Sequence, residues 1–176
     1  MQRWSHLVAH PGSVLDIACG QGRHLQWFAE QGYTVTGIDR SPDAIRTASD
    51  FGEAVLADIE NEPWPLMHNG QARQFGAVIV TNYLWRPLFE LIAQSVAPGG
   101  VLIYETFSQE HKTVGKPSNP EFLLRPNELL TAFKSMHVVA FEDGFLDHPA
   151  RFVQRIAAVR PDLGEVARQT PARYTL

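Results

Sequence analysis

The sequence predicts an α/β fold built on a doubly wound, mostly parallel seven-stranded sheet with a C-terminal antiparallel hairpin. Apolar runs of strand length alternate with segments of helical periodicity, which is typical of parallel strands joined by crossover helices. Residues 76–81 are almost wholly apolar, as in a strand that is covered on both faces. The last two apolar runs, residues 138–141 and 152–159, are too close for a crossover helix, so we expect an antiparallel pair at the sheet edge.

The first half of the chain is expected to contain three strands and two helices, whose ends are marked by glycine and serine. Gly32 is placed to end the first helix. Ser41 and Pro42 supply an N-cap and a first-turn proline for the second helix. The strands are expected at residues 14–19, 33–39 and 54–58, and the helices at residues 23–31 and 42–50.

The second half continues this alternation and then breaks it. Residues 59–75 contain two prolines and a glycine and predict a loop with room for one helical turn. Residues 107–126 are polar, and a loop of about twenty residues in a compact domain is usually functional or mobile. The tail beyond Pro161 is expected to be peripheral or mobile. Further strands are expected at residues 76–81 and 101–106, and helices at residues 87–96 and 126–135.

Composition narrows the class of protein. The 176 residues have the size of one domain, and a net charge of −4 gives no electrostatic footprint for nucleic acid. The single cysteine cannot form an internal disulfide, which suits a reducing cytosol. No apolar stretch has the length of a signal peptide or a membrane span. We therefore expect a cytoplasmic protein with a small-molecule partner and neither nucleic acid nor membrane, while the oligomeric state stays open.

A glycine turn after the first strand carries the functional prediction. In Gly20-Gln21-Gly22, backbone N–H groups converge where a strand meets a helix, which favours a carboxylate or a phosphate. Asp16 lies within the first strand, and Asp39 ends the second, where a carboxylate can accept hydrogen bonds from ribose hydroxyls. Asp58 closes the third. Together they predict a nucleoside cofactor, although the turn could serve helix packing, Asp39 could cap a helix, and Asp58 could begin a turn.

The motifs resemble those of the class I S-adenosylmethionine-dependent methyltransferases, whose Rossmann-like fold has the predicted strand pattern. Asp16, Ala18, Gly20 and Gly22 match the first motif of that family, with alanine at a position where glycine is more usual. The turn and the small size are also similar to the tellurite-resistance and related small-molecule methyltransferases. The resemblance implies S-adenosylmethionine as cofactor and a small molecule as methyl acceptor, which could be a thiol, an oxyanion or a carboxylate.

The same resemblance implies roles for residues at the other strand ends. Asp39 corresponds to the ribose-binding acid, and the pair Asp58-Ile59 to residues that contact the adenine. Thr81 and Asn82 lie where the fourth strand meets the methionine part of the cofactor. Arg23 and Arg40 complete the expected cofactor residues, with Arg23 either on the cofactor carboxylate or paired with a surface acid. No set of acids resembles the magnesium site of catechol-type enzymes, so no metal is expected.

Three residues are candidates for catalysis. Tyr83 follows the fourth strand, where its hydroxyl could orient a nucleophile and its ring could face the sulfonium. Arg86 could hold an anionic substrate through its guanidinium, and His111 could act as a base near neutral pH. Ordinary packing for Tyr83 and Arg86, and a solvated loop position for His111, are the alternatives. Further candidates for the substrate side are Trp85, Glu105, Phe107 and His148.

Two other functions are compatible with part of the pattern. A nicotinamide-dependent oxidoreductase would carry the glycine motif G-x-G-x-x-G, but Leu25 stands in place of its third glycine. A non-catalytic module that binds the nucleoside and docks to a partner would need the same turn and acids.

Overall fold

The computed structural model describes residues 1–162, 164 and 173–175, so most of the tail beyond Pro161 lies outside the described residues. The main sheet has the order β3-β2-β1-β6-β7-β9-β8, and the expected seven-stranded, mostly parallel sheet is confirmed. Its strands are β1 (Ser13–Ile17), β2 (Thr34–Asp39), β3 (Glu53–Leu56), β6 (Phe75–Thr81), β7 (Val96–Phe107), β8 (His137–Asp147) and β9 (Ala150–Val159).

Helices cover both faces of this sheet. They are α1 (Arg23–Glu30), α2 (Pro42–Ala48), α3 (Phe89–Ser95) and α4 (Glu128–Ala132), with 3-10 turns at Gln2–Leu7, Arg86–Leu88, Gln109–Thr113 and Pro120–Phe122. The hydroxyl of Ser41 accepts a hydrogen bond from the Ala44 amide, as expected for the cap of α2. Successive residues of β6 enter separate apolar clusters: Val78 and Val80 pack on one face, Ala77 and Ile79 on the other. Within the described residues no helix has the length and apolar character needed to cross a bilayer.

The chain starts at the middle of the sheet and winds outward in both directions. From β1 it proceeds through β2 to β3 at one edge, then returns to β6 on the other side of β1. The strand order therefore reverses between β1 and β6, and such a switch point opens a crevice at the carboxyl ends of the strands. β9 runs antiparallel to both β7 and β8, which confirms the predicted hairpin at the sheet edge.

Several boundaries differ from the sequence predictions for local reasons. Residues 59–75 include a small hairpin of β4 (Met67–His68) and β5 (Gln71–Ala72), turned by Asn69 and Gly70, which both adopt positive φ. Residues 107–126 are not an open loop. Ser108 pairs with Leu124 in an isolated parallel bridge, and the residues between them include the 3-10 turns Gln109–Thr113 and Pro120–Phe122. The hairpin strand β8 continues to Asp147, well past the predicted residue 141.

Candidate functional site

The glycine turn between β1 and α1 is open on one side and packed on the other. Ala18, Gly20 and Gly22 have φ values of 55°, 56° and 83°, a backbone conformation that costs glycine least. A Cβ built on Gly22 would lie 3.1 Å from the Ala48 backbone, whereas one on Gly20 would meet no described atom within 4 Å. The turn thus presents free space at Gly20 and close packing at Gly22.

Asp39 ties this turn to the next strand. One carboxylate oxygen accepts a hydrogen bond from the Gly20 amide at 2.9 Å, and the other accepts one from the Ser41 amide at 2.9 Å. Each oxygen retains a second lone pair that can accept a ribose hydroxyl. Asp39 therefore supports both neighbouring turns, and it also lines the crevice at the switch point.

Asp16 is a buried carboxylate beneath the turn. It is 1% exposed, and no described residue donates a hydrogen bond to either of its oxygens. The nearest cationic candidate is His24 Nδ1, 3.4 Å from Oδ2. Burial raises the pKa of Asp16 above its ordinary value, and the neighbouring His24 only partly offsets this. A buried acid without hydrogen bonds costs stability unless a ligand compensates it.

A small cavity of about 140 Å³ lies where β1, β2 and β3 end. It brings together most of the residues expected around the adenosine, although they come from separate strands. Its lining consists of Ala18, Asp39, Arg40, Ala57, Asp58, Ile59, Glu60 and Tyr83. Asp58 also makes the turn contacts considered above: its carboxylate accepts from the Glu60 amide at 3.2 Å and from Asn61 Nδ2 at 2.9 Å. The Asn61 hydrogen bond lowers the pKa of Asp58, so this acid is a carboxylate at neutral pH.

Asn82 and Tyr83 connect this crevice to two further cavities. Asn82 has φ 55°, and its amide donates to the Glu105 carbonyl at 2.9 Å. It lines both a polar cavity of about 700 Å³, shared with Arg23, Thr81 and Glu105, and a cavity of about 330 Å³, shared with Tyr83 and Phe107. The predicted residues at the end of the fourth strand therefore stand between the adenosine crevice and two candidate acceptor spaces.

Tyr83 is positioned to donate a hydrogen bond rather than to remove a proton. Its hydroxyl oxygen is buried and has no hydrogen-bond partner in the part of the chain that the structure describes. Burial and the nearby Glu60 carboxylate raise the pKa of Tyr83 well above its ordinary value. The phenol thus keeps its proton at neutral pH.

The structure shows Arg86 in the packing role that was the alternative to binding an anionic substrate. Its Nε and Nη2 hold the Glu128 carboxylate at 2.7 and 3.0 Å. Nη1 and Nη2 also donate to the carbonyls of Glu121 and Leu123 at 2.7 and 2.8 Å. The guanidinium is therefore committed to the chain, and it fastens the segment that precedes α4.

His111 is likewise a packed residue and not an accessible base. It is 4% exposed and stacks on Phe107 with ring centroids 4.3 Å apart. Its Nε2 lies 3.0 Å from the Lys116 carbonyl, and its Nδ1 accepts from the Phe152 amide at 3.4 Å, so both ring nitrogens are used. Of the other candidates, Trp85 packs half-buried against the core and His148 lies exposed in the β8–β9 turn.

Sequence reasoning missed a charged row on the hairpin side of the polar cavity. Glu105 of β7, Arg155 of β9 and Glu142 of β8 are direct cross-strand neighbours. Arg155 binds Glu105 at 2.6 Å and Glu142 at 3.3 Å, and Arg151 lies 3.4 Å from Glu105. The signal that could have found this row is the four-residue spacing of Arg151 and Arg155, which puts both on one face of a strand.

The open space at Gly20 and the crevice lined by Asp39, Asp58 and Ile59 fit a nucleoside cofactor. A family model described as a methyltransferase domain matches residues 2–155. The chain is 28% identical over 107 residues to a 2-heptyl-1-hydroxyquinolin-4(1H)-one methyltransferase of Mycobacteroides abscessus, covering 56% of this chain and 47% of that protein. It is 37% identical over 100 residues to a malonyl-[acyl-carrier protein] O-methyltransferase of Salmonella typhimurium, covering 55% and 39%. The matches thus span less than half the length of these relatives.

Solved structures share the fold at low sequence identity. TehB from Haemophilus influenzae superposes with a TM-score of 0.71 at 19% identity, covering 89% of this chain and 59% of that one. The N-methyltransferase NodS from Bradyrhizobium japonicum gives 0.69 at 16% identity, covering 92% and 94%. Since the family model spans most of the chain and the strand order and glycine turn agree with it, the chain belongs to the class I S-adenosylmethionine-dependent methyltransferases.

Proposed function

We propose that this protein transfers the methyl group of S-adenosylmethionine to a small molecule. The observation that carries the proposal is the convergence of Ala18, Asp39, Asp58 and Ile59 on one crevice beside an open glycine turn. The bound cofactor supplies an electrophilic methyl group on a sulfonium. The acceptor would take that methyl group through a lone pair, and the sulfur would keep the electrons of the carbon–sulfur bond.

The chain's own residues divide the work of binding. Asp39 accepts the ribose hydroxyls while it holds the Gly20 amide, and Ile59 provides apolar surface for the adenine. The exposed Arg23, in the first turn of α1, holds the methionine carboxylate. Asp16, whose carboxylate oxygens have no hydrogen-bond partner among the described residues, lies under the same turn and stabilises the positive charge of the cofactor.

Catalysis is supplied by positioning. Asn82 and Tyr83 stand between the cofactor crevice and the acceptor spaces, and holding two reactants in contact can supply much of the rate acceleration. The protonated Tyr83 hydroxyl orients the acceptor by donating a hydrogen bond. With a net charge of −4 and one cysteine, we further infer a cytoplasmic protein that does not bind nucleic acid.

Calorimetry with three ligands tests the cofactor. S-adenosylmethionine and S-adenosylhomocysteine are expected to bind and NADH is not. Binding of NADH alone would point to an oxidoreductase instead. Incubation with candidate thiols, carboxylates and oxyanions, with S-adenosylhomocysteine measured as product, then separates an enzyme from a binding module. Absence of turnover across that panel, despite cofactor binding, would favour the binding module.

Replacing Asp39 by Ala tests the ribose contact. We expect S-adenosylhomocysteine to bind more weakly by about 1–3 kcal/mol, because charge-assisted hydrogen bonds are lost. Asp43→Asn is the matched control, since this acid lies nearby on α2 with an exposed side chain paired to Arg46. Equal affinity of the Asp39→Ala and Asp43→Asn variants would remove Asp39 from the cofactor site.

A further inference from the structure

The polar cavity beside Asn82 carries more positive than negative charge. Among the described side chains that line it, four arginines face three glutamates. Three of the arginines join a continuous row of ion pairs, from Arg3 through Glu142, Arg155 and Glu105 to Arg151. The arginine outside that row is Arg23, for which the described residues offer no ion pair.

Arg151 stands at the end of this row and is incompletely paired. Its one ion-pair contact is the 3.4 Å approach of Nη1 to Glu105, which already binds Arg155 at 2.6 Å. Its Nε is buried and has no hydrogen-bond partner among residues 1–162, 164 and 173–175. The buried and unpaired Nε is costly, but the Arg151 side chain as a whole is 25% exposed and lines the cavity, so its guanidinium can donate to an oxygen of a ligand there.

We propose that Arg151 binds the carboxylate of the methyl acceptor and that the acceptor is a small organic acid. This inference rests on the proposed function, in which Arg23 is occupied by the methionine carboxylate. Among the described arginines of this cavity, Arg151 is the one with a buried N–H that lacks a partner. Glu105 contacts both Asn82 and Arg151, because its carbonyl accepts the Asn82 amide and its carboxylate lies 3.4 Å from Arg151 Nη1. The acceptor's anion would therefore lie within reach of the end of β6.

The surroundings indicate the charge and shape of this acid. The Glu105 carboxylate lies 3.4 Å from Arg151 Nη1, so the single guanidinium proposed to bind the ligand matches one negative charge better than the two of a phosphate. Trp27 is half-buried and lines the cavity as well, so it offers apolar surface to the body of the ligand. A monocarboxylate with an apolar body satisfies both features.

Acid and amide pairs test this assignment on the protein loaded with S-adenosylhomocysteine. The probes are acetate, octanoate, benzoate and 1-naphthoate, each against its primary amide, with phenylphosphonate as a dianion. We expect at least one acid with an apolar body to bind about tenfold tighter than its amide, because only the acid can pair with a guanidinium. Equal binding of all acids and amides, or tighter binding of phenylphosphonate, would overturn the inference.

Substitution of Arg151 separates its role from that of the cofactor site. Arg151→Gln should weaken binding of the preferred acid about tenfold, since the charge-assisted pair is lost, and Arg151→Lys should restore part of it. Arg23→Gln should instead weaken S-adenosylhomocysteine. Arg46→Gln, an exposed change on α2, is the control. If S-adenosylhomocysteine binds but Arg151→Gln leaves acid binding unchanged, this inference fails alone; if S-adenosylhomocysteine does not bind, the proposed function fails.

Discussion

Gly37 shows how a single residue permits close packing of α1 on the sheet. A Cβ at this position of β2 would lie 2.6 Å from Leu25 Cδ1 and 2.7 Å from Cys19 Sγ. In dinucleotide-binding proteins the corresponding closeness comes from a third glycine on the helix. Here the helix carries Leu25, which is fully buried, and the glycine lies on the strand beneath it.

Gly37→Ala is expected to destabilise the protein by about 1–3 kcal/mol, because the added methyl group overpacks the core below the glycine turn. Denaturant unfolding measures the change. Gly144→Ala is the matched control, since its Cβ would meet no described atom within 4 Å. In the double variant with Leu25→Ala, the loss should be smaller than the sum of the two single losses, because the shortened side chain relieves the overlap. An unfolding free energy for Gly37→Ala equal to that of Gly144→Ala would contradict this packing.

Asp16 is a buried carboxylate whose burial costs stability in the ligand-free protein. Its pKa is raised in the folded protein by burial, so the folded state holds its proton more strongly than the unfolded state does. Stability contributed by this group is therefore present at low pH and is lost as pH rises from the unfolded pKa through the folded one.

Asp16→Asn is accordingly expected to raise the melting temperature of the ligand-free protein at pH 7, by about 2–4 °C per kcal/mol for a chain of this size. It should also weaken S-adenosylmethionine, because the amide lacks the negative charge. Thermal unfolding between pH 4 and 8, together with calorimetry, measures both effects. A variant that is less stable than the wild type at pH 7 would show that the acid is compensated in the ligand-free protein.

At the scale of elements, the Arg86–Glu128 pair fastens the segment between β7 and α4. Burial by itself would raise the pKa of Glu128, but the bidentate contact with Arg86 and the Arg125 amide keeps it below the ordinary value. The stabilisation is thus present above the unfolded pKa of a glutamate and is lost as pH falls through the folded one. Phe122, which lies in this segment, lines the cavity of about 330 Å³ beside Asn82 and Tyr83.

Arg86→Gln should loosen this segment, because the pair is only 24% and 14% exposed at its two side chains. We expect a loss of about 1–3 kcal/mol in stability and faster hydrogen exchange in residues 119–128. Affinity for S-adenosylhomocysteine should stay near that of the wild type, since the hydrogen bonds of Arg86 go to Glu121, Leu123 and Glu128, and none of these lines the crevice of Asp39 and Asp58. If hydrogen exchange in residues 119–128 is the same in Arg86→Gln as in the wild type, Arg86 does not hold this segment in place.

At the scale of the whole molecule, the cofactor site joins parts of the chain that are distant in sequence. The rim draws on the ends of β1, β2, β3 and β6, and the polar cavity adds the N-terminal turn and the hairpin. A ligand that binds across this rim stabilises the native state as a whole, because the unfolded chain has no such site.

S-adenosylhomocysteine at about 100 times its Kd should raise the melting temperature by about 5–10 °C, whereas NADH should leave it unchanged. Differential scanning calorimetry measures the shift. The Asp39→Ala variant is expected to show a smaller shift at the same ligand concentration. A shift with NADH as large as that with S-adenosylhomocysteine would argue against an adenosyl-specific crevice.

The sequence by itself determined the alternation of strands and helices along the chain and the residues that stand at the carboxyl ends of the strands. Apolar runs, glycine turns and the short link before β9 are local signals, and the ends of parallel strands must meet at one edge. Asp39 and Asp58 could therefore be placed at one rim from the sequence alone.

Only the tertiary structure decided which charged side chains are already paired. Arg86 finds Glu128 at a separation of 42 residues, and Arg155 finds Glu105 at 50. Such pairs form only where the strand register and the folded segment 107–126 bring distant side chains together. The local spacing of residues in the sequence indicates neither of them. Arg86 is thus committed to Glu128, whereas Arg151 keeps a buried Nε without a partner among the described residues.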